Sequence, residues 1–463
     1  MSSDLTDVNV RAPAPSRLAL PAICLGYFMV ILDATAVNLS LPALGRDLGG
    51  GVGALQWVVD GYTLTFAALL LTAGSLGDRY GARRVFCGGL ALFLVASAAC
   101  GLAPGAATLV VARLVQGAAA AVLVPCSLAL VRAAYEDPGA RARAVGVWGG
   151  VAGVAAASGP VIGGVLTQVV SWRLVFFVNV PIGLAALLLT RRHVPAADGH
   201  GRPGFDLPAQ ATVIAALGVL TFALIEARTE GWTSPFILGG FVAAALLIAV
   251  FIVVERRAAA PMLPLGMFRD RAFAGGSAIG LLINLGFYGQ LFVISLYFQN
   301  SRHMSPVTAG LALLPEGLLV SLASLLSGRV TSRTGARPTM LAGLCAGAAG
   351  LFGLMIADPH VSYLVLVVPL MAAGFGMAFT MPAATTTVVE AAPADRAGVA
   401  SGAINTGRQV GSTIGVALIG TLAGSAGLAT AMAVAGAAFL VGAAVTVVVI
   451  PGRGVHAAKP QVE

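Results

Sequence analysis

The sequence predicts an all-α polytopic membrane protein of fourteen spanning helices, built as two six-helix halves with two helices inserted between them. Three observations predict it. The chain of 463 residues is 58% hydrophobic and 10% charged, with a mean hydropathy of +0.92, which is too apolar for a water-soluble protein of that length. Its apolar stretches run near twenty residues between short charged loops, as a hydrocarbon layer roughly 30 Å thick requires of helices. Spanning β-strands would need only about ten alternating residues. Finally, GSLGDRYGARR (74–84) returns in worn form as GRVTSRTGARP (328–338), 254 positions later.

The opening MSSDLTDVNVRAPAPSR is polar and has neither a basic start nor a small-residue cleavage site, so the first apolar run is expected to stay as a span. Spans are expected near 18–42, 55–77, 84–103, 107–134, 144–168, 172–190, 206–226, 235–254, 272–298, 307–330, 338–357, 361–389, 397–423 and 428–450. The internal match pairs Gly74 with Gly328, Arg79 with Arg333, Gly81 with Gly335, Ala82 with Ala336 and Arg83 with Arg337. It follows spans two and ten, so spans one to six (1–190) and nine to fourteen (272–463) form a parallel repeat. Segment 191–271 supplies linkers rich in Pro, Gly and charge around inserted spans seven and eight.

An even number of spans places both termini on one side. Of the 27 Lys and Arg, four fall on one side (Arg46, Arg173, Arg228, Arg302), two lie inside spans (Arg113, Arg408) and the remaining 21 fall on the other. The positive-inside rule makes that side, with both termini, cytoplasmic. The net charge of +8 then faces anionic lipid from many short loops. No single basic patch exists for a nucleic acid. Five cysteines within spans and no C-x-x-C pair read as small apolar fillers, and histidines confined to loops offer no metal site. The 26 arginines against one lysine, with abundant Ala and Gly, have the composition of a GC-rich bacterial genome.

That lysine, Lys459, lies in the tail, so no P-loop lysine exists to hold a nucleotide's phosphates. With no H-E-x-x-H and no nucleophile elbow, an enzyme is disfavoured. No cofactor is expected, and the energy source that remains is a proton gradient acting on a buried acid.

The motifs resemble those of the major facilitator superfamily, in its fourteen-span drug:proton antiporter family. GSLGDRYGARR is similar to the superfamily signature G-x-L-x-D-R-x-G-R-R, with Ala82 substituted. LDATAVNLSLP (32–42), RLVQG (113–117) and NTGRQVG (405–411) resemble family stretches in spans one, four and thirteen. ASGPVIGG (157–164) matches the antiporter pattern G-x-x-x-G-P-x-x-G-G, except that Ala155 stands for its first glycine. The resemblance implies a monomeric exporter of lipophilic small molecules in the cytoplasmic membrane, working by alternating access. A solute importer or facilitator on the same fold, and a receptor that no longer transports, are the competing readings. The antiporter motif argues against the former, and the short tail after Ile450 against the latter.

Individual residues carry these expectations. Gly81 supplies a tight turn without a Cβ penalty and Gly74 permits close helix approach. Asp78 suits a helix N-terminus, where the dipole favours negative charge; by resemblance that helix is span thirteen, from near Arg396. Arg79, Arg83 and Arg84 either complete this cytoplasmic gate or only anchor topology. Ser332 replaces Asp78 in the second copy. An ionisable group in a span is a functional hypothesis by default. Asp33 lies about 22 Å into span one at 1.5 Å per residue, a depth Asp60 and Arg113 can share. Burial favours a neutral acid and a nearby guanidinium an ionised one. Asp33 is therefore expected to carry the proton or a cationic substrate, the alternative being an inert ion pair with Arg113.

Asp60 near the outer boundary and Glu316 beside Pro315 are further proton-coupling or substrate-facing candidates. Arg408 is too deep to snorkel and would meet Glu316 or a substrate anion. Three acids against two arginines tilt the expected substrate toward cationic lipophiles. Gly146/Gly150, Gly149/Gly153 and Gly159/Gly163 suggest tight helix crossings along span five, with Pro160 and Gly164 completing the antiporter stretch. Asn38, Gln56, Trp57, Tyr62, Gln116, Asn284, Tyr288, Gln290 and Asn405 are the expected pathway lining.

Overall fold

A computed structural model describes residues 17–49, 51–135, 137–195, 207–258, 261, 263, 265–393 and 397–450. The chain runs through α1 (Ala19–Leu48), α2 (Val52–Tyr80), α3 (Ala82–Gly101), α4 (Ala106–Ala134), α5 (Pro138–Val169), the short α6 (Leu174–Phe177) and α7 (Asn179–His193). It continues through α8 (Leu207–Glu230), α9 (Pro235–Arg257), α10 (Arg271–Leu296), α11 (Pro306–Thr334), α12 (Ala336–Gly353), α13 (Tyr363–Ala391), α14 (Ala397–Ser425) and α15 (Leu428–Val449). α6 and α7 together make one span, Leu174–His193. Twelve of the resulting fourteen spans are long and apolar enough to cross a bilayer among the described residues. The other two, α2 and α14, are 29 residues each and pack against one another.

Local chemistry sets the helix ends. Asp270 accepts from the backbone N–H groups of Ala272 and Phe273, and Ser305 from that of Thr308, each at an N-terminus with orphan donors to satisfy. Pro306 then occupies the first turn of α11, where its missing N–H costs nothing. Gly81 and Gly335, partners in the internal repeat, adopt φ of +88° and +94°. Any residue with a Cβ would be strained in this region. The sequence repeat thus marks the same turn twice.

Packing repeats as well. α1 packs on α5 and α7, α2 on α4, and α3 on α4 and α7; in the same pattern α10 packs on α14 and α15, α11 on α13, and α12 on α13 and α15. The two sets meet along two seams, α2 against α14 and α5 against α11. The inserted α8 lies over the first seam. Gln210 donates to Ala68 O of α2 at 2.8 Å, and Thr421 of α14 donates to Leu224 O at 2.9 Å. α9 rests on α8 and turns Phe236, Val242 and Leu246 outward, as a lipid-facing helix does.

Among the described residues, close contacts across the seams gather at one end. At the end opposite the Gly81 and Gly335 turns, Gln56 donates to Val416 O at 3.1 Å and Ala417 O at 2.9 Å, and Val307 N donates to Gln168 at 3.1 Å. A Cβ on Gly164 would run into Pro306 O, and one on Gly310 would sit 2.5 Å from Pro160 O. On the other face of α5, Gly159 meets Thr35 and Gly163 meets the backbone of Ala36. Toward the Gly81 end the helices diverge. Gly146, Gly149, Gly150 and Gly328 face open space, so the tight crossings expected of Gly146/Gly150 and Gly149 are not made here. Only Gly153 of that group has a close neighbour, Ser321, which donates to its carbonyl at 3.2 Å.

Two valine substitutions separate the faces of α5. Gly163→Val is expected to lower the melting temperature, because the obstructing atoms are backbone and overpacking costs about 1–3 kcal/mol. Gly164→Val wedges the α5–α11 seam and should instead expose it. A cysteine placed at Gln168 should then react faster with a thiol reagent than in the Gly164 parent.

Candidate functional site

The most connected polar cluster sits inside the first set of helices. Asp33 on α1 accepts from Arg113 Nη1 at 2.5 Å, Gln116 Nε2 at 3.0 Å and Asn179 Nδ2 at 2.8 Å. Arg113 also donates from Nη1 to Gln116 Oε1 at 2.8 Å and from Nε to Val58 O at 3.0 Å, and lies 4.2 Å from the Tyr62 ring centre. Ser97 accepts from Gln116 and Asn179 and donates to Phe176 O. Asp33 and Arg113 are each 1% exposed. A buried charge is tolerable when paired and hydrogen-bonded, and both conditions hold here.

Asp60 and Glu316 are the opposite case. They are 0% and 3% exposed, and neither carboxyl makes a hydrogen bond among the described residues. Each has one polar neighbour, Thr63 for Asp60 and Gln290 for Glu316. Thr63 directs its hydroxyl to the carbonyls of Val59 and Asp60, and both amide atoms of Gln290 are themselves unpaired. Glu316 presses on α13, where a Cβ on Gly374 would come 2.8 Å from its Cγ.

The diverging ends leave a cleft between the two sets, and a cavity of about 40 Å³ lies between the same helices, walled by Ile31, Asn38, Tyr62, Thr63, Tyr288 and Ser412. That is space for a few waters and no drug. Arg408 lies on α14 beside the cleft, partly buried, and donates from Nη1 to Asn405 at 3.0 Å; its Nε has no hydrogen-bond partner among the described residues. Facing it, Tyr27 of α1 and Trp148 of α5 stack with ring centres 4.1 Å apart at 6°.

The expected lining divides accordingly. Asn38, Tyr62 and Tyr288 converge on the cavity, and Asn405 and Arg408 flank the cleft. Gln116 belongs to the Asp33 cluster. Gln56 ties α2 to α14, and Trp57 packs against Phe222 of α8 with ring centres 6.4 Å apart. Asn284 donates to Gly280 O of its own helix, and Gln290 lies buried beside Glu316. No ion pair joins Arg408 to Glu316 among the described residues. Arg83 donates to Arg191 O, and Arg79 lies 5.3 Å from the Tyr80 ring centre. The side chains at Gly74 and Asp78, and the helix start expected near Arg396, fall outside the described residues.

Sequence reasoning missed Asn179 and Ser97 in the Asp33 cluster. The signal for Asn179 was there, a lone amide in the apolar run FFVNVPIG. It also missed Asp47, which pairs with Arg173 and accepts from Trp172 Nε1 at 2.9 Å at the closed end.

Two parallel sets of six spans that meet along two seams are the build of a secondary transporter. The chain matches the Major Facilitator Superfamily over residues 23–416 and, in a second overlapping match, 279–461, and it belongs to that superfamily. It is 40% identical over 405 residues to the multidrug resistance protein Stp of Mycobacterium tuberculosis, covering 88% of this chain and 75% of that one. To the tetracenomycin C resistance and export protein of Streptomyces glaucescens it is 38% identical over 414 residues, covering 89% and 76%. A crystal structure of the peptide transporter POT in complex with sulfate superposes with a TM-score of 0.69 over 93% of this chain and 94% of that one. Its 16% identity speaks for the fold alone.

Proposed function

We propose that this chain exports antibiotics or other lipophilic compounds across the cytoplasmic membrane in exchange for protons, by alternating access. The observation that carries the reading is its 40% and 38% identity, over most of its length, to a multidrug resistance protein and to a resistance and export protein. The wedge shape supports it. With 21 of the 27 basic residues on the side of the Gly81 and Gly335 turns, the positive-inside rule turns the cleft toward the cytosol, where an exporter loads. The moving units are the bundles 1–190 and 272–463, with 191–271 riding on one seam. In the opposite state the cytoplasmic turn with Gly74, Asp78, Arg79, Gly81 and Arg83 closes, and the Gln56 contacts part.

Proton exchange falls to buried acids. Asp60 and Glu316 accept no hydrogen bond in this state among the described residues, and a lone buried carboxylate costs far more than its neutral acid. Asp33 takes a proton only when its pair with Arg113 opens, so it couples proton binding to helix movement. The test is transport by everted membrane vesicles from cells expressing the chain, using a panel of fluorescent drugs. Drug accumulation driven by an imposed inward-acid gradient, collapsing with a protonophore, is expected. Accumulation indifferent to the gradient, or uptake into intact cells instead, would overturn the reading.

A further inference from the structure

Resting on that exporter reading, we infer that the central cleft binds aromatic acids in their anionic form: flat molecules bearing an ionised carboxyl, phenol or enol. Composition pointed the other way, because three acids outnumber two arginines in the spans. The geometry removes most of those charges from a substrate's view. Asp33 and Arg113 neutralise each other and are sealed at 1% exposure each. Asp60 and Glu316 are buried at 0% and 3%. Arg408 remains beside the cleft, with no carboxylate in ion-pair contact among the described residues.

Its surroundings hold donors in search of an acceptor. A guanidinium carries five N–H donors; Asn405 takes one of them, and Nε is buried with none. The hydroxyls of Tyr27 and Tyr288 lie within electrostatic reach of Arg408 and, among the described residues, make no hydrogen bond to the protein. The donor that geometry leaves open is the guanidinium itself, on α14, with the hydroxyls of α1 and α10 in its field. An oxyanion would accept from that guanidinium, and charge-assisted bonds of this kind are the stronger ones. The stacked Tyr27–Trp148 pair adds an aromatic wall to the same place, which fits a flat ring system better than an aliphatic acid.

Matched dyes test this on the purified full-length chain. Fluorescein, an aromatic anion, and ethidium, an aromatic cation, are titrated by fluorescence anisotropy at a pH that keeps fluorescein ionised. Wild type should bind fluorescein. Arg408→Gln should weaken it by about tenfold or more, the scale of one charge-assisted contact, Arg408→Lys by less, and neither should weaken ethidium. Fluorescein affinity within about twofold in Arg408→Gln, or binding of ethidium alone, overturns the inference. Should the Gln variant fail to fold, wild type decides: 2-naphthoate must displace fluorescein, and a naphthyl trimethylammonium salt must not. The exporter reading fails separately. Vesicles that pump ethidium and ignore fluorescein defeat the anion site alone, and vesicles that pump neither dye nor any drug of the panel defeat export.

Discussion

Arg113→Met is expected to destabilise the folded protein by roughly 3–5 kcal/mol, the usual scale for removing one partner of a buried ion pair. Methionine fills similar volume, so the loss is electrostatic more than steric. Asp33 would keep Gln116 and Asn179 as donors but lose its cation. Val58 O would lose its donor, and the Tyr62 ring the charge lying over it. Asp33→Asn should also destabilise, by stranding the guanidinium. The double variant Asp33→Asn with Arg113→Met leaves neither charge stranded, so it should recover part of the loss. A positive coupling energy in that cycle, read from melting temperatures in detergent, is the expected result. Additive losses, or a single Arg113→Met variant that melts like wild type, would show that the pair does not hold the bundle.

Much of this cluster was legible in the sequence, because a charge inside an apolar span announces itself. Asp33 and Arg113 could be set at a common depth by counting rise per residue, and their pairing stood as one of two alternatives. The turns at Gly81 and Gly335 were equally legible, since a repeated glycine between repeated arginines has a local backbone cause. What escaped has no local signature. Gln56 bonds a carbonyl 361 positions away, and nothing in either helix alone says that they touch. Asn179 comes from the sixth span to an acid on the first, a contact fixed by how three helices cross and not by any period. The glycines of α5 show the same limit from the other side. Small-x-x-x-small spacing recurs along the helix, yet Gly159, Gly163 and Gly164 are in close contact while Gly146, Gly149 and Gly150 face open space. Spacing states which approaches are possible, and the tilt between bundles decides which are made. Net charge has a related limit: it counts acids and arginines equally, whether they cancel inside a bundle or face the substrate.

Asp60→Asn and Glu316→Gln carry the largest expected effect on transport. Each amide has nearly the shape of the neutral acid, and the native sites offer the carboxyl no hydrogen bond that an amide would forfeit. Both variants should therefore fold and melt close to wild type, unlike the Asp33 and Arg113 variants. Neither can release a proton. Drug accumulation driven by a pH gradient should fall to background in everted vesicles. Exchange of drug for drug, with no gradient imposed, should persist, because the bundles can still rock with the site permanently neutral. The contrast between the two assays isolates coupling from binding. If one variant keeps gradient-driven accumulation, its acid is a buried structural group and coupling passes to the other. If both keep it, proton exchange rests on Asp33, whose pair with Arg113 must then open in every cycle. Loss of drug-for-drug exchange in a well-folded variant would instead assign that acid to the path of the substrate.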